Sequence, residues 1–305
     1  MNYEKIKKVV VLKGGLSDER AVSLVSGGAC AKALRSIGLE VKEIDANKET
    51  ISELKNIKPD AVFNALHGKW GEDGCIQGIL EWLQIPYTHS GVFSSALAMD
   101  KMKTKSIYQS VDLPIAKSIK VQSKSLLLKN DMKIPYVIKP VNGGSSVGIS
   151  FVNRKEDLRH NDNDNNYHGE VMLEEFIPGR ELTVTVLNDV PLTVTEIITE
   201  SWYDYEAKYS ENGSSHIVPA NLPNKIFDAC KKYALRAHHA LGCRGISRTD
   251  LRWDDTKGLA GIILLETNTQ PGMTPTSLTP EQAKFCGISF EGLCKSLIED
   301  ASCNR

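Results

Sequence analysis

The residues with the clearest chemical potential are acidic and amide side chains that follow an apolar run late in the sequence. Glu266 and Asn268 come directly after the apolar residues 261–265, and two residues apart on an extended strand they project from the same face. A second predicted strand carries Asp250 near its middle and Arg248 two residues earlier. Pairing of the two strands would put three oxygen ligands and a guanidinium on one surface, which suits Mg²⁺. A hairpin whose polar face meets solvent explains the same pattern equally well.

Two loops in the first quarter of the sequence follow predicted strands. The apolar run 8–12 predicts a buried parallel strand, and the glycines 14–15 and Ser17, a potential helix cap, come next. A strand, glycines and a helix N-terminus bind anions in many proteins, but the same pattern is also an ordinary βα turn. A third strand, 60–66, runs into His67 and a glycine-rich loop. Ligands of open α/β sheets bind at the carboxyl ends of strands, so we predict that His67 is functional.

A glycine–serine loop in the middle of the chain follows a strand that ends in a lysine. Lys139 lies near the end of the apolar strand 136–140, which predicts that this lysine is buried, and the loop 141–150 follows. This loop lies between two β-rich segments and lacks the terminal Gly-Lys-Ser/Thr of a P-loop, so we interpret it as a hairpin tip. Backbone N–H groups and serine hydroxyls can still close over phosphates. Upstream, Lys101 opens a helix with several lysines, most of which a solvated helix face explains.

The composition limits the possible function classes. A length of 305 residues favours two or three domains. The net charge of −1 argues against binding to nucleic acid or to an anionic membrane surface. No apolar run approaches the roughly 20 residues of a membrane-spanning helix, and the first residues lack the apolar core of a signal peptide. Seven scattered cysteines without a CxxC pair indicate reduced thiols in a cytoplasmic protein and argue against zinc.

The order of predicted elements indicates an α/β unit followed by α+β units. A β-α-β-α-β-α-β pattern, with a short fourth strand at 85–88, ends near residue 97. Strands at 181–187 and 192–198 form a predicted hairpin, and 226–241 is a predicted helix. The polar segment 210–221 has little predicted local structure, and a loop of this length in a compact enzyme is often a lid.

Taken together, the motifs resemble those of the D-alanine–D-alanine ligases of the ATP-grasp superfamily, over nearly the whole chain. The matching segments are Gly14-Gly15-x-Ser17-x-Glu19-Arg20-x-Val22-Ser23, Ala65-Leu66-His67-Gly68 with Gly71-Glu72-Asp73-Gly74, Met99-Asp100-Lys101, Lys139-Pro140 with Gly144-Ser145-Ser146-Val147-Gly148, Tyr205-Glu206-Ala207-Lys208-Tyr209, Arg248-x-Asp250, and Glu266-x-Asn268-x-x-Pro271-Gly272-Met273-Thr274. Seven motifs in register are specific, although each alone is weak. Thr249, Gln270 and the glycine-rich 143–144 depart from the usual pattern, and none of them removes a charged group.

The resemblance implies a three-domain ATP-grasp architecture, in which an N-terminal parallel-sheet α/β domain precedes two α+β domains that enclose the ATP cleft. The expected domains are 1–97, 98–180 and 181–305. The implied reaction joins two D-alanine molecules through an acyl phosphate, with ADP and phosphate as by-products, for peptidoglycan precursor synthesis. The implied cofactors are ATP and two Mg²⁺ or Mn²⁺ ions. We also expect a cytoplasmic homodimer that has no nucleic-acid or membrane partner.

The resemblance also implies a role for each matching site residue. The implied catalytic residues are Glu19, Ser145, Tyr209, Arg248 and Gly272. The implied D-alanine contacts are His67 and Lys208, with Ser277 and Leu278 at the second carboxylate. The implied nucleotide contacts are Lys101, Lys139, Ser146, Glu174, Ile177 and Glu181. The implied metal ligands are Asp250, Glu266 and Asn268. Under this scheme the first glycine loop presents Glu19 to the first D-alanine and does not hold phosphate.

Two other functions fit parts of this pattern. A different ATP-grasp ligase, which joins another carboxylate to another amine, would share the metal and phosphate residues. It would differ at Glu19, His67, Lys208 and Tyr209. A nucleotide-binding regulatory protein without turnover is the second alternative. The complete metal set argues against it, since a protein that only binds nucleotide has no need for metals at the γ-phosphate.

Overall fold

The structure is a computed structural model that describes residues 6–122, 130–144, 148–157, 170–199 and 214–304. Four predicted site residues, Ser145, Ser146, Lys208 and Tyr209, lie outside the described residues, as do residues 210–213 of the predicted lid. None of the helices in the described part of the chain combines the length and the apolar composition needed to cross a membrane.

The N-terminal layer is a parallel sheet flanked by helices. Its strands, in the order β2-β1-β3, are β1 (Lys8–Lys13), β2 (Glu40–Asp45) and β3 (Ala61–Asn64). Its helices are α1 (Arg20–Ser36), α2 (Thr50–Ile57), α3 (Cys75–Trp82) and α4 (Val92–Met99). The prediction of a fourth strand at 85–88 was wrong, because Tyr87 makes isolated bridges to Val62 and Ser302 and the segment does not form a continuous strand pairing. Pro86 beside it has no N–H to donate to a ladder.

The central layer is an antiparallel sheet preceded by helix α5 (Lys101–Ser110). The strands, in the order β4-β7-β5-β6, are β4 (Ser118–Val121), β5 (Tyr136–Pro140), β6 (Ser150–Val152) and β7 (Val171–Glu175). Strands β5 and β6 pair directly on either side of the glycine–serine loop. The predicted hairpin is therefore confirmed.

The third layer is a five-stranded antiparallel sheet covered on one face by helix α6 (Asn224–Ala240). Its strands, in the order β10-β9-β8-β11-β12, are β8 (Arg180–Leu187), β9 (Val190–Ile198), β10 (Ser215–Ile217), β11 (Ile246–Trp253) and β12 (Ile262–Asn268). A 3₁₀ segment, Asp255–Gly261, joins the last two strands. The expectation of a structureless 210–221 segment was wrong at β10, which pairs with β9 and is tied down by a His216–Glu281 hydrogen bond of 2.9 Å.

The two ends of the chain share one hydrophobic core. Helices α7 (Leu278–Phe285) and α8 (Phe290–Glu299) complete the fold, and α8 packs against α1 and β3. Cys30 and Leu34 of α1 and Leu293 and Leu297 of α8 are all fully buried in this core. The loops that follow β1 and β3 are thereby held against the loop that follows β12.

Candidate active site

One cleft is lined by residues from all three layers. It includes nine predicted site residues: Glu19, His67, Lys101, Arg248, Glu266, Asn268, Gly272, Ser277 and Leu278. The other described site residues, Asp250, Lys139, Glu174, Ile177 and Glu181, are not part of the cleft lining. The folded chain thus brings together residues that are almost 260 positions apart in sequence.

The acidic face of the β11–β12 pair forms one wall. Asp250 lies directly opposite Glu266, and Arg248 lies opposite Asn268. The predicted pairing is confirmed. Arg248 makes a bidentate contact with the Asp250 carboxylate, at 2.9 Å from Nε and 2.8 Å from Nη2, and the Thr183 hydroxyl donates to the same carboxylate at 2.7 Å. Asp250 is consequently fixed in place, with Arg248 between it and the cleft.

The three predicted metal ligands offer only oxygen donors. The Glu266 side chain is 31% exposed and faces the cleft. The Oδ1 atom of Asn268 accepts the backbone N–H of Gln270 at 2.7 Å, which fixes the orientation of the amide. Each of these oxygens keeps a second lone pair. Glu266 and Asn268 fit Mg²⁺, which retains several waters and takes phosphate oxygens for its remaining positions. Both Asp250 oxygens are bound by Arg248, so Asp250 would have to exchange these contacts before it held a metal.

Lys101 brings a positive charge to the opposite side of the cleft. Asp100 caps helix α5 by accepting the backbone N–H groups of Met102 and Lys103, both at 3.0 Å. This cap fixes the start of the helix. The Lys101 ammonium donates to the carbonyl of Gly143 at 2.5 Å and lies 3.7 Å from the Glu266 carboxylate. The lysine thus connects the glycine–serine loop to the acidic wall.

A buried charge cluster lies deeper in the central layer. The Glu174 side chain is 2% exposed and contacts two ammonium groups, Lys105 at 2.6 Å and Lys139 more closely. Burial lowers the pKa of Lys105, and Glu174 only partly offsets this effect. Burial also acts against the charge of Lys139, but Glu174 and Glu266 prevail and raise its pKa. For Glu174, burial is outweighed by the two lysines, which lower its pKa, so the carboxyl is ionised at neutral pH.

Ile177 and Glu181 lie on the segment that leaves the central sheet and enters the third. Glu181 accepts a hydrogen bond from Arg252, its partner across β8 and β11, at 3.2 Å. Glu181 is close enough to Lys139 to contribute to the raised pKa of that lysine. Arg252 also stacks on the ring of Phe176 at 5.3 Å. An aromatic ring, an aliphatic side chain and a carboxylate therefore follow one another where the chain passes from the central sheet into β8.

On the other side of the cleft, the Glu19 carboxylate occupies a space that two glycines keep open. A Cβ atom on Gly68, whose φ is +68°, would lie 2.8 Å from Glu19 Oε1, and one on Gly144 would lie 3.1 Å away. Ser17 does not cap α1, which begins at Arg20. Its hydroxyl instead donates to the carbonyl of His67 at 2.7 Å. The loops after β1 and β3 are thereby joined at Glu19.

His67 is nearly buried and has two polar neighbours. Its Nε2 atom lies 3.0 Å from the Ser26 hydroxyl, and its Nδ1 atom lies 3.7 Å from the Glu72 carboxylate. Glu72 also accepts the backbone N–H of Gly68 at 2.6 Å. Sequence reasoning did not assign Glu72 a role. Its place in the same loop, five residues after His67, was the available signal.

The first glycine turn resolves as an ordinary βα turn. The Gly15 N–H points to Asp45 at 3.4 Å, and Arg20 makes a bidentate salt bridge to the same carboxylate at 2.5 Å. A side chain of the protein itself therefore takes the position that an anion would need.

The N-terminus of α7 closes the remaining side. Ser277 is the residue before the helix, and its hydroxyl accepts the Thr274 N–H at 3.0 Å. Leu278 is the first helical residue, and Gly272 lies in the loop that leads to it. The free N–H groups of a helix N-terminus favour a carboxylate.

Comparison with known protein families identifies the family of this chain. A family model described as "D-ala D-ala ligase C-terminus" matches residues 107–299, and one described as "D-ala D-ala ligase N-terminus" matches residues 38–90. The chain belongs to the D-alanine–D-alanine ligase family. Its core fold, a parallel-sheet layer followed by two antiparallel sheets, is the ATP-grasp architecture that the motifs predicted.

Individual relatives of this ligase family match over almost their full length. A D-alanine–D-alanine ligase of Ruegeria sp. (strain TM1040) is 55% identical over 98% of both chains. One of Roseobacter denitrificans is 57% identical over 98% of this chain and 93% of the relative. The crystal structure of the Bacillus anthracis ligase superposes with a TM-score of 0.83 at 32% identity, covering 96% of this chain and 97% of the other. A crystal structure of a Bacillus anthracis D-alanine–D-alanine ligase complexed with ATP gives a TM-score of 0.81 at 28% identity, covering 96% of this chain and 97% of the other.

Thr249, one of the departures from the ligase pattern, joins a buried hydrogen-bond chain below the acidic face. Its hydroxyl lies 2.7 Å from that of Thr267, which in turn lies 2.5 Å from the hydroxyl of Tyr108 on α5. Burial raises the pKa of Tyr108, so the phenol stays neutral. These hydrogen bonds link α5, which carries Lys101, to β12, which carries Glu266.

Proposed function

We propose that this chain joins two D-alanine molecules to give D-alanyl-D-alanine, a peptidoglycan precursor, at the expense of ATP. One observation carries the proposal in this structure. The acid and histidine of the first-substrate side, Glu19 and His67, line the same cleft as the phosphate-side residues Lys101 and Glu266 and the helix end at Ser277. Family membership supports the same reaction.

In the first step, a carboxylate oxygen of the first D-alanine attacks the γ-phosphorus of ATP, and the bond from that phosphorus to the bridging oxygen of ADP breaks. Charge develops on the γ-phosphoryl oxygens and on the leaving ADP. Lys101 and Lys139 supply positive charge there. Glu19 and His67 hold the ammonium end of the first D-alanine, away from the reacting carboxylate.

In the second step, the neutral amine of the second D-alanine attacks the acyl carbon and forms a tetrahedral oxyanion. This oxyanion collapses and expels phosphate, and the amide nitrogen loses its proton. Arg248 and the backbone near Gly272 stabilise the oxyanion, because preorganised donors are most effective where charge develops. Ser277 and Leu278, at the N-terminus of α7, receive the carboxylate of the second D-alanine.

We also propose the ligands of the metal and of the nucleotide. Asp250, Glu266 and Asn268 would hold two Mg²⁺ or Mn²⁺ ions, which when bound neutralise charge on the triphosphate. Glu174, Ile177 and Glu181 would receive the adenosine end of ATP. The roles of Ser145, Ser146, Lys208 and Tyr209 rest on the motif alone, since these residues lie outside the described part of the chain.

The assembly proposals go further than the site. We propose domain boundaries at 97/98 and 180/181, which separate the three sheets except for Arg180, the first residue of β8. The first boundary lies within the last turn of α4. We propose a cytoplasmic homodimer, and the exposure of Trp82 and Phe93, at 88% and 71%, offers apolar surface for the contact. Analytical ultracentrifugation that gives only monomer at micromolar concentration would refute the dimer.

The direct test of the function is ADP release with purified protein, ATP and Mg²⁺. We expect D-alanine to stimulate ADP release and L-alanine not to do so, and D-alanyl-D-alanine to appear in equal amount with ADP. With equal D-alanine and D-lactate at pH 7, we expect the dipeptide to be the main product. ADP release that another amino acid stimulates and D-alanine does not would favour a different ATP-grasp ligase.

A further inference from the structure

Gln270 makes a buried connection between the loop after β12 and the loop after β3. Its side chain is 2% exposed. The side-chain amide of Asn64 donates to Gln270 Oε1 at 2.7 Å, and the Gln270 amide donates to the backbone carbonyl of Leu66. Both polar ends of the glutamine are therefore satisfied by the N-terminal layer, across a sequence separation of 206 residues.

The connection joins points immediately beside residues of the candidate site. Leu66 directly precedes His67, and Gln270 lies two residues after Asn268 and two before Gly272. A second tie runs nearby, since the Ser26 hydroxyl accepts the N–H of Met273 at 3.3 Å and lies 3.0 Å from His67. The position of the first-substrate loop relative to the β12 loop is thus set by buried hydrogen bonds.

The length of the glutamine side chain is what makes the direct tie possible. Gln270 is buried and is not part of the cleft lining, and both ends of its side chain are taken up by Asn64 and Leu66. A serine at this position would end one bond beyond Cβ and would not reach Asn64 and Leu66 together. Loss of the tie would remove one of the two acceptors of the Asn64 amide, which also donates to the Gly71 carbonyl at 3.0 Å, and the donor that Gln270 supplies to the Leu66 carbonyl. Folded proteins avoid unpaired polar groups in their interior.

We propose that Gln270 is a positioning residue, which sets the distance between the His67 loop and the loop after β12, which carries Gly272. This inference rests on the proposed ligase function and adds a determinant of D-alanine binding to it. Because the two D-alanine molecules lie between these loops, the tie controls their affinity and alignment. The proposed nucleotide contacts, such as Lys139 and Glu181, lie on other elements.

The test is steady-state kinetics of Gln270→Met, which keeps the length and apolar volume of the side chain but removes its hydrogen bonds. We expect kcat/KM for D-alanine to fall roughly 10- to 100-fold, because misplacement by about 1 Å costs up to this much. The KM for ATP should change less than about twofold, since Lys139, Glu174 and Glu181 lie on other elements and Asn268 is held in β12 by its pairing with Arg248. Gln270→Glu keeps the acceptor for Asn64 and loses the donor to Leu66. Its kcat/KM for D-alanine should lie between those of wild type and Gln270→Met.

Gln77→Met is the matched control, because Gln77 is also a buried glutamine. It donates at 2.8 Å to the Gly71 carbonyl, which the Asn64 amide also contacts at 3.0 Å, so its loss disturbs the same part of the N-terminal layer without cutting the tie to the loop after β12. We expect it to lower thermal stability without the selective change in D-alanine kinetics. Equal effects of Gln77→Met and Gln270→Met, or an unchanged kcat/KM for D-alanine in Gln270→Met, would overturn the inference. If Gln270→Met does not fold, the D-alanine kinetics of Gln270→Glu are compared with those of Gln77→Met, and the same outcomes apply. A wild-type chain that forms no dipeptide would instead refute the proposed function.

Discussion

Replacing Glu174 with glutamine removes the carboxylate that stands between Lys105 and Lys139. In the native cluster one negative charge faces two positive charges, and the Glu174 and Lys105 side chains are 2% and 3% exposed. In Glu174→Gln two buried ammonium groups would face each other without a counter-charge. One of them then loses its proton, and we expect this to be Lys105, since burial already lowers its pKa.

The magnitude follows from the proton that is lost. Deprotonation of a lysine with an unfolded pKa of about 10.4 costs about 4.6 kcal/mol at pH 7, at about 1.36 kcal/mol per pH unit. This cost is an upper limit on the stability that Glu174→Gln loses through the unpaired charge. It agrees with the roughly 3–5 kcal/mol seen when one partner of a buried ion pair is removed. We therefore expect the free energy of unfolding to fall by about 3–5 kcal/mol at pH 7.

The pH dependence distinguishes this cause from simple loss of packing. In the variant, the folded pKa of Lys105 is depressed below its unfolded value, so the unfolded state binds more protons and stability rises with pH. Between pH 7 and 9 we expect the deficit of Glu174→Gln relative to wild type to shrink by about 1.4 kcal/mol per pH unit in urea denaturation. Glu175→Gln, the same change at the next and exposed residue, is the control and should cost less than about 0.5 kcal/mol. A deficit for Glu174→Gln that does not change with pH would refute the reasoning.

Two further predictions test the acidic wall and the fold. Glu266→Gln should lower turnover at least about 10²-fold while ATP still protects against thermal unfolding; near wild-type turnover at saturating Mg²⁺ would contradict the metal assignment. Burial lowers the pKa of His238 to about 4, next to the Ser247 hydroxyl at 2.7 Å. The folded state therefore resists protonation, and the stability that neutral His238 provides is present above about pH 6.5 and lost as the pH falls toward 4. We expect His238 to make the wild-type free energy of unfolding, measured by urea denaturation, about 2 kcal/mol smaller at pH 5 than at pH 7. The decrease between these pH values should be smaller in His238→Gln. Equal decreases in the two proteins would contradict the role of His238.

The parts of the site that sequence alone predicted are those set by local pattern. Apolar runs that end in polar residues located β11 and β12, and period-two alternation put Asp250 and Glu266 on one face. The position of Lys139 at the end of an apolar strand correctly indicated a buried lysine, with 7% exposure.

The parts that sequence reasoning missed depend on contacts between distant residues. Lys105 lies one helical turn after Lys101, so the helix pattern alone favoured a solvated face; its partner Glu174 is 69 residues away and lies on another element. Gln270 looked like a neutral departure, because Asn64 and Leu66 meet it only in the folded chain. Strand β10 was missed for the same reason, since pairing with β9 supplies the hydrogen bonds of a segment with weak local preference.

The measurement that tests the central claim most directly uses D-alanine with ¹⁸O in both carboxylate oxygens. If ATP activates the first D-alanine as an acyl phosphate, the oxygen that attacks the γ-phosphorus leaves with the phosphate. Mass spectrometry should then find one ¹⁸O in each phosphate released, together with D-alanyl-D-alanine and ADP in equal amounts. Dipeptide accompanied by unlabelled phosphate would contradict the acyl phosphate, and labelled D-alanine that yields no dipeptide would contradict the proposed ligase activity itself.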